Sequence, residues 1–172
     1  NFFNGEAEVR ALDHTGVDAV VIGNHEFDRG ALNFARQFSR WSTFPVLAAN
    51  YLFDDPAAPG SAELARLAKP FALFNLRGLK VAVVGLGNLS SITSIFDQPN
   101  RPGITALNTV ETAQFYVDQV RAFGADVVAG DSYGNIKRWN GTFVIFAPLT
   151  GSVMATEPCG VGSLATGKFF CK

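Results

Sequence analysis

Short apolar runs rich in β-branched residues alternate with segments of helical period along most of this chain. That alternation confines it to a layered sheet with helices packed on its faces. Val17-Asp18-Ala19-Val20-Val21-Ile22-Gly23 reads as a strand buried in a parallel sheet, and Phe44-Pro45-Val46-Leu47-Ala48-Ala49 as a second. Before the first run, residues 5–15 predict a short helix through Ala7, Val9, Ala11 and Leu12 that ends at Gly16. Between the two runs, residues 30–41 set Ala31, Phe34, Ala35 and Phe38 at helical spacing. Phe71-Ala72-Leu73-Phe74 and Lys80-Val81-Ala82-Val83-Val84-Gly85 flank Arg77-Gly78, the pattern of a hairpin with glycine at its turn.

Residues 110–123 predict an amphipathic helix through Ala113, Phe115, Tyr116, Val120 and Phe123, after which Ala125-Asp126-Val127-Val128 opens another strand. Prolines make residues 54–61 a loop, and residues 88–106 are polar and rich in turn formers. The expectation is an α/β fold in which the strands within residues 17–23, 44–49 and 80–85 share one core. At 172 residues the chain is sized for one domain.

Beyond residue 128 the rhythm stops. Residues 129–172 hold both cysteines, Cys159 and Cys171, and the single methionine, with no long amphipathic segment. The chain therefore divides into residues 1–128, of one consistent pattern, and a tail at 129–172 that reads as divergent or non-native, the product of a shifted frame or a misjoined segment. The competing reading is a genuine ending, with one further strand within residues 142–149 and Cys159 paired with Cys171.

A net charge of −1 supplies no field that would draw the chain to nucleic acid or to an anionic surface. No apolar stretch reaches the roughly 20 residues needed to span a bilayer. The opening Asn1-Phe2-Phe3-Asn4-Gly5 has no basic segment followed by an apolar run, so no signal peptide is expected in it.

The chemistry is concentrated in Gly23-Asn24-His25-Glu26-Phe27-Asp28, which follows a buried strand directly and so emerges at its carboxyl end, where open α/β sheets bind ligands. The Asn24 amide oxygen suits a hard divalent cation, His25 can donate to a phosphoryl oxygen, and Asp28 can orient the imidazole. The plainer account makes Gly23-Asn24 a turn, with Glu26 and Asp28 as acids starting the next helix.

This hexamer, with Gly16-Val17-Asp18-Ala19 before it, Phe44-Pro45-Val46-Leu47-Ala48-Ala49-Asn50 after it, and then Lys69-Pro70-Phe71 and Leu79-Lys80-Val81-Ala82-Val83-Val84-Gly85-Leu86, resembles the calcineurin-like metallophosphoesterases. The resemblance is nearest to the branch of 5'-nucleotidases and 2',3'-cyclic phosphodiesterases and runs from about residue 5 to residue 128. It implies a layered metallophosphoesterase-type sheet with flanking helices, incomplete at the N-terminus. It also implies hydrolysis of a nucleotide or other phosphate ester by water activated between two divalent ions, Mn, Zn or similar, in a periplasmic, secreted or cell-surface setting. Carried onto this sequence, Asn24 corresponds to a metal ligand, His25 and Asp28 to a catalytic dyad, and Asn50 to a substrate-side residue at the rim.

The family's other ligands belong to an Asp-x-His motif and an Asp loop, expected before Asn1, and to two later histidine motifs. The only histidines here are His14 and His25, and Ala129-Gly130-Asp131-Ser132-Tyr133 stands where a histidine pair is expected. The chain thus reads as an internal fragment, inactive alone and unable to hold both metals by itself. A non-catalytic pseudoenzyme or binding module on the same sheet is the alternative. His14 reads as a surface or capping residue. The Gly85-Leu86-Gly87 run lacks the third glycine, the helix and the distal acid of a dinucleotide site, so it reads as a structural strand end. Asn88-Leu89-Ser90 and Asn140-Gly141-Thr142 match the glycosylation pattern, which recurs often by chance.

Overall fold

The apolar runs form strands shorter than their text suggests in the first part of the chain, where helices hold them, and longer ones in the second. A computed structural model describes residues 4–89, 103–132, 143–146 and 153–155. The glycosylation tripeptides, Cys159 and Cys171 fall wholly or partly outside the described residues.

Helix α1 (Glu6–His14) starts after Gly5 and ends as predicted, with Gly16 in the left-handed region at φ 76 and its amide bonded to the Asp13 carbonyl at 3.1 Å. His14 is its last residue and is exposed. Strand β1 (Val20–Val21) pairs in parallel with β2 (Val46–Leu47), and β2 in parallel with β4 (Ala68–Lys69). Between β1 and β2, α2 (Ala31–Trp41) buries Ala31, Phe34, Ala35 and Phe38, the four residues its period singled out. Strand β3 (Tyr51–Phe53) pairs antiparallel with β7 (Ile104–Ala106), which lies in the stretch that reads as polar loop. A short helix, α3 (Ser61–Leu67), follows the proline loop. Gly60 lets it dock, since φ is 88 there and an added Cβ would fall 2.6 Å from the Leu32 Cα.

The predicted hairpin is β5 (Phe71–Leu76) with β6 (Leu79–Leu86), turning through Arg77 at φ 55 and Gly78 at φ 94, the paired positive values of a type I′ turn. Strand β8 (Val127–Ser132) pairs in parallel with β6, reached through helix α4 (Thr109–Ala122), and continues to β9 (Phe143–Phe146) and β10 (Val153–Ala155). The order in this sheet is β10-β9-β8-β6-β5.

Two readings need correction. The three predicted strands do not share one core: Val46 and Ala48 belong to a cluster with Phe27, Phe34, Phe38 and Leu64, whereas Ala49, Val84 and Leu86 belong to a second with Ala113, Val117 and Val120. The cause is period-two alternation, which sends Ala48 and Ala49 to opposite faces, one under α1 to α3 and the other under α4. The sheets meet edge to edge, the Ala49 amide donating to the Gly85 carbonyl at 2.6 Å. In α4 the buried residues are Thr112, Ala113, Val117 and Val120, while Phe115 and Phe123 are exposed. Their rings pack sideways, on Tyr116 and Phe71 respectively.

Candidate functional site

Beyond β1 the chain makes one more sheet contact, the Ile22 amide donating to the Leu47 carbonyl at 3.2 Å, and then leaves the sheet. It turns through a short 3-10 helix (His25–Phe27), closed by bonds from the Phe27 amide to the Asn24 carbonyl and from the Asp28 amide to the His25 carbonyl. What fixes this turn to the body is Phe27, 1% exposed, whose ring meets Phe34 edge to face at 5.6 Å. Phe34, Phe38 and Phe44 carry the stack on into the core. Each such pair contributes on the order of 1 kcal/mol beyond the area it buries.

With Phe27 inward, its neighbours face out. His25 Nδ1 lies 3.2 Å from Asp28 Oδ2, and the two side chains are 82% and 60% exposed. An exposed pair of this kind contributes only about 0–1 kcal/mol to the fold. Its geometry is therefore set by the turn and the Phe27 anchor, leaving the imidazole reachable from solution. Asn24 opens the turn, but its side chain makes no capping bond to it. Glu26 is not the plain N-terminal acid of the bland account, because its Oε2 reaches back to accept from the Gly23 amide at 2.8 Å. Among the described residues, no three His, Cys, Asp or Glu side chains gather as a metal-holding group.

Asn50 stands three residues past β2, in register with Asn24 three residues past β1, at the carboxyl ends of two parallel strands. Its surroundings are different. The side chain is fully buried; Nδ2 donates to the Gly87 carbonyl at 2.8 Å and to Thr109 Oγ1 at 3.1 Å, and Oδ1 accepts from the Gly87 amide at 2.7 Å. The amide thus ties the β2 end to the β6 end and to the start of α4. Beside it, the Tyr51 hydroxyl donates to the Asn88 carbonyl at 2.8 Å, and burial pushes its phenol well above the ordinary range. Both glycines of Gly85-Leu86-Gly87 are packing residues: an added Cβ would stand 2.7 Å from the Leu47 carbonyl carbon at one and inside the Tyr51 ring at the other.

The structure therefore sets half-buried Asn24 on one turn with exposed His25 and Asp28, and Asn50 inside the protein. Sequence reasoning gave Glu26 only the part of a helix-starting acid and passed over Phe27. A single aromatic in a polar hexamer is a usable sign of an anchor, whereas nothing local announces the backward reach of Glu26.

No family model matches the chain. Protein UshA of Yersinia enterocolitica is 42% identical over 83 residues, covering 48% of this chain and 14% of that protein. A 5'-nucleotidase of Vibrio parahaemolyticus is 36% identical over 83 residues, 48% of this chain and 13% of its own. The matched stretch thus spans about one-seventh of the length of these two relatives. Among solved structures, a 5'-nucleotidase precursor from Thermus thermophilus superimposes with a TM-score of 0.64 at 26% identity, over 76% of this chain and 24% of its own. The calcineurin-like phosphoesterase YfkN from Bacillus subtilis does so with a TM-score of 0.57 at 23% identity, over 78% and 40%.

Proposed function

We propose that this chain, a homologue of 5'-nucleotidases with the fold of the calcineurin-like phosphoesterases, carries the proton-donating part of a phosphoester hydrolase site. The observation that supports the reading is the turn at the carboxyl end of β1, which holds His25 Nδ1 at 3.2 Å from Asp28 Oδ2 and leaves both exposed. Asp28 favours the imidazole proton on Nδ1, and an imidazolium so held turns its Nε2 proton towards the oxygen leaving phosphorus. A nucleotide is the substrate class that the homology favours, and a periplasmic, secreted or surface location is the setting proposed with it.

In the complete reaction a pair of divalent cations would supply the activated water. The described residues do not fit that pair by themselves, since Asn24 is one carboxamide and no cluster of His, Cys, Asp or Glu accompanies it. We therefore assign Asn24 as a single ligand and derive no step through the metals. That incomplete donor set is also what favours the second reading, a non-catalytic module on the same sheet.

Transplantation tests the assignment. Residues 16–86, which hold the turn and its flanking strands, replace their counterpart in the Vibrio 5'-nucleotidase, and release of phosphate from a 5'-nucleotide is measured with Mn²⁺. The chimera is expected to turn over, and His25→Ala to slow it by about 10²- to 10⁴-fold, the usual worth of a positioned acid. The isolated chain is expected to show no metal-dependent turnover. A folded chimera insensitive to His25→Ala would overturn the catalytic reading in favour of the non-catalytic one.

A further inference from the structure

Gly23 is where the chain leaves the sheet, one residue after the last contact with β2, and Asn24 and His25 follow it directly. Among the described residues its amide pairs with no strand, and it donates to Glu26 Oε2 at 2.8 Å, part-buried. The fit is mutual. A Cβ on Gly23 would come within 2.9 Å of that same Oε2, so glycine leaves the space that the carboxylate fills. The peptide joining Ile22 to Gly23 is held by this bond, which closes a loop around Asn24 and His25, and the turn beyond is held by buried Phe27.

We infer that Glu26 is a positioning residue of the proposed site: its carboxylate clamps the Gly23 amide and thereby fixes the backbone that presents Asn24 and His25. The inference rests on the phosphoesterase reading for its functional meaning, while the clamp itself is a property of the loop. Without the clamp, the 3-10 turn keeps its own backbone bonds and the Phe27 anchor, but its entry at Gly23 loses the bond that ties it to Glu26. The backbone can then rotate about Gly23, since glycine tolerates most backbone angles. His25 moves with it and the Nδ1 to Oδ2 contact loosens.

The test uses the full chain labelled with ¹⁵N and compares the parent with Glu26→Ala, Glu26→Gln and Glu26→Asp. Three quantities are read: hydrogen exchange at the Gly23 amide, the ¹⁵N shift of the His25 imidazole at fixed pH, and the denaturant midpoint. Glu26→Ala is expected to speed exchange at Gly23 by about tenfold, the loss of one net hydrogen bond. It should also shift the His25 ring signals, with the midpoint lowered by no more than the loss of that one bond accounts for. Glu26→Gln restores both readings, because its amide oxygen accepts the same bond. Glu26→Asp keeps the charge but falls short and behaves like Ala, and it serves in place of Ala if that variant does not fold.

A merely structural role would lower the midpoint and leave the His25 signals of the folded state in place. That result, or unchanged exchange at Gly23 in both Ala and Asp variants, overturns the proposal. Broadening of the Asn24 side-chain signal by added Mn²⁺ is measured alongside. Its absence in the parent would count against the metal assignment without touching the clamp, so the two ideas fail separately.

Discussion

At the end of β1 the amide of Gly23 is taken by Glu26 three residues on, and His25 and Asp28 beside it stand in solvent; at the end of β6 the amide of Gly87 is taken by Asn50, 37 positions away, beneath the ring of Tyr51. In both, glycine follows a strand because another group approaches the backbone closely. A local partner leaves the loop open to solution. A distant partner draws two segments together and closes the strand end. The two asparagines differ in the same way: Asn24 makes no capping bond, whereas Asn50 is fully buried with both ends of its amide bonded. Residue type and position at a strand end do not separate the proposed site from an internal tie. Burial and the sequence distance of the bonding partner distinguish these two.

The largest effect that bears on this contrast is expected at Asn50. Asn50→Ala leaves the Gly87 amide and carbonyl without their buried partners, a cost of about 3 kcal/mol from unsatisfied groups. Asn50→Asp should be no better, because it retains the acceptor for the Gly87 amide but sets a charge against the Gly87 carbonyl. Denaturant unfolding measures both. A loss below 0.5 kcal/mol, roughly the range of an ordinary surface change, would show that the β6 end is not held by this amide.

Gly87→Ala ranks next, at about 2 kcal/mol, since the new methyl overlaps the Tyr51 ring and must displace it. The comparable change in the open loop, Gly23→Ala, meets only the far end of the Glu26 side chain. It is expected to cost less, and the ordering of the two midpoints is the measurement.

Tyr51→Phe removes the hydrogen bond to the Asn88 carbonyl and should cost about 1 kcal/mol at neutral pH. Its pH dependence sharpens the point. Burial raises the phenol above its ordinary value of 10.0 in the folded chain, so the folded state keeps a proton that the unfolded state releases. The contribution is complete below pH about 10 and declines as the pH rises beyond it. The advantage of the parent over Tyr51→Phe should therefore shrink between pH 9 and 11. A constant difference across that interval would mean that the hydroxyl is solvated and the strand end open.

Legibility in the sequence follows the same line between local and distant partners. The stripe of α2 and the turn at Arg77-Gly78 were readable, because spacing along the chain and positive φ are local properties. Helix α3 was not: its seven residues bury only Ser61 and Leu64, and its docking depends on Gly60 meeting Leu32. The Phe115 and Phe123 positions misled for another reason, since hydrophobicity suggested burial where the stripe of Ala113, Val117 and Val120 had already used the inward face of the helix. The hexamer was visible as a loop after a strand, and the His25 and Asp28 contact is local enough to foresee. The setting of Asn50 was not foreseeable, with partners 37 and 59 positions away.

The smallest effect on stability is expected at Asn24, where it is most informative. Its side chain caps nothing, and the turn it opens is closed by backbone bonds and by Phe27. Asn24→Ala should therefore shift the unfolding free energy by no more than about 0.5 kcal/mol, as at a position whose side chain makes no capping bond. A residue retained for the fold would cost more, as an N-cap does at about 1 kcal/mol. If Asn24 is a ligand, the change appears elsewhere: Mn²⁺ no longer broadens signals around the turn, and the chimera described above needs more Mn²⁺ for half-maximal turnover. Asn24→Asp separates the two accounts further, because a carboxylate keeps an oxygen ligand and adds charge, so some metal response should return while stability stays level. A loss of stability in both variants with metal response intact would make Asn24 a structural residue like Asn50, and the contrast between the two strand ends would fail.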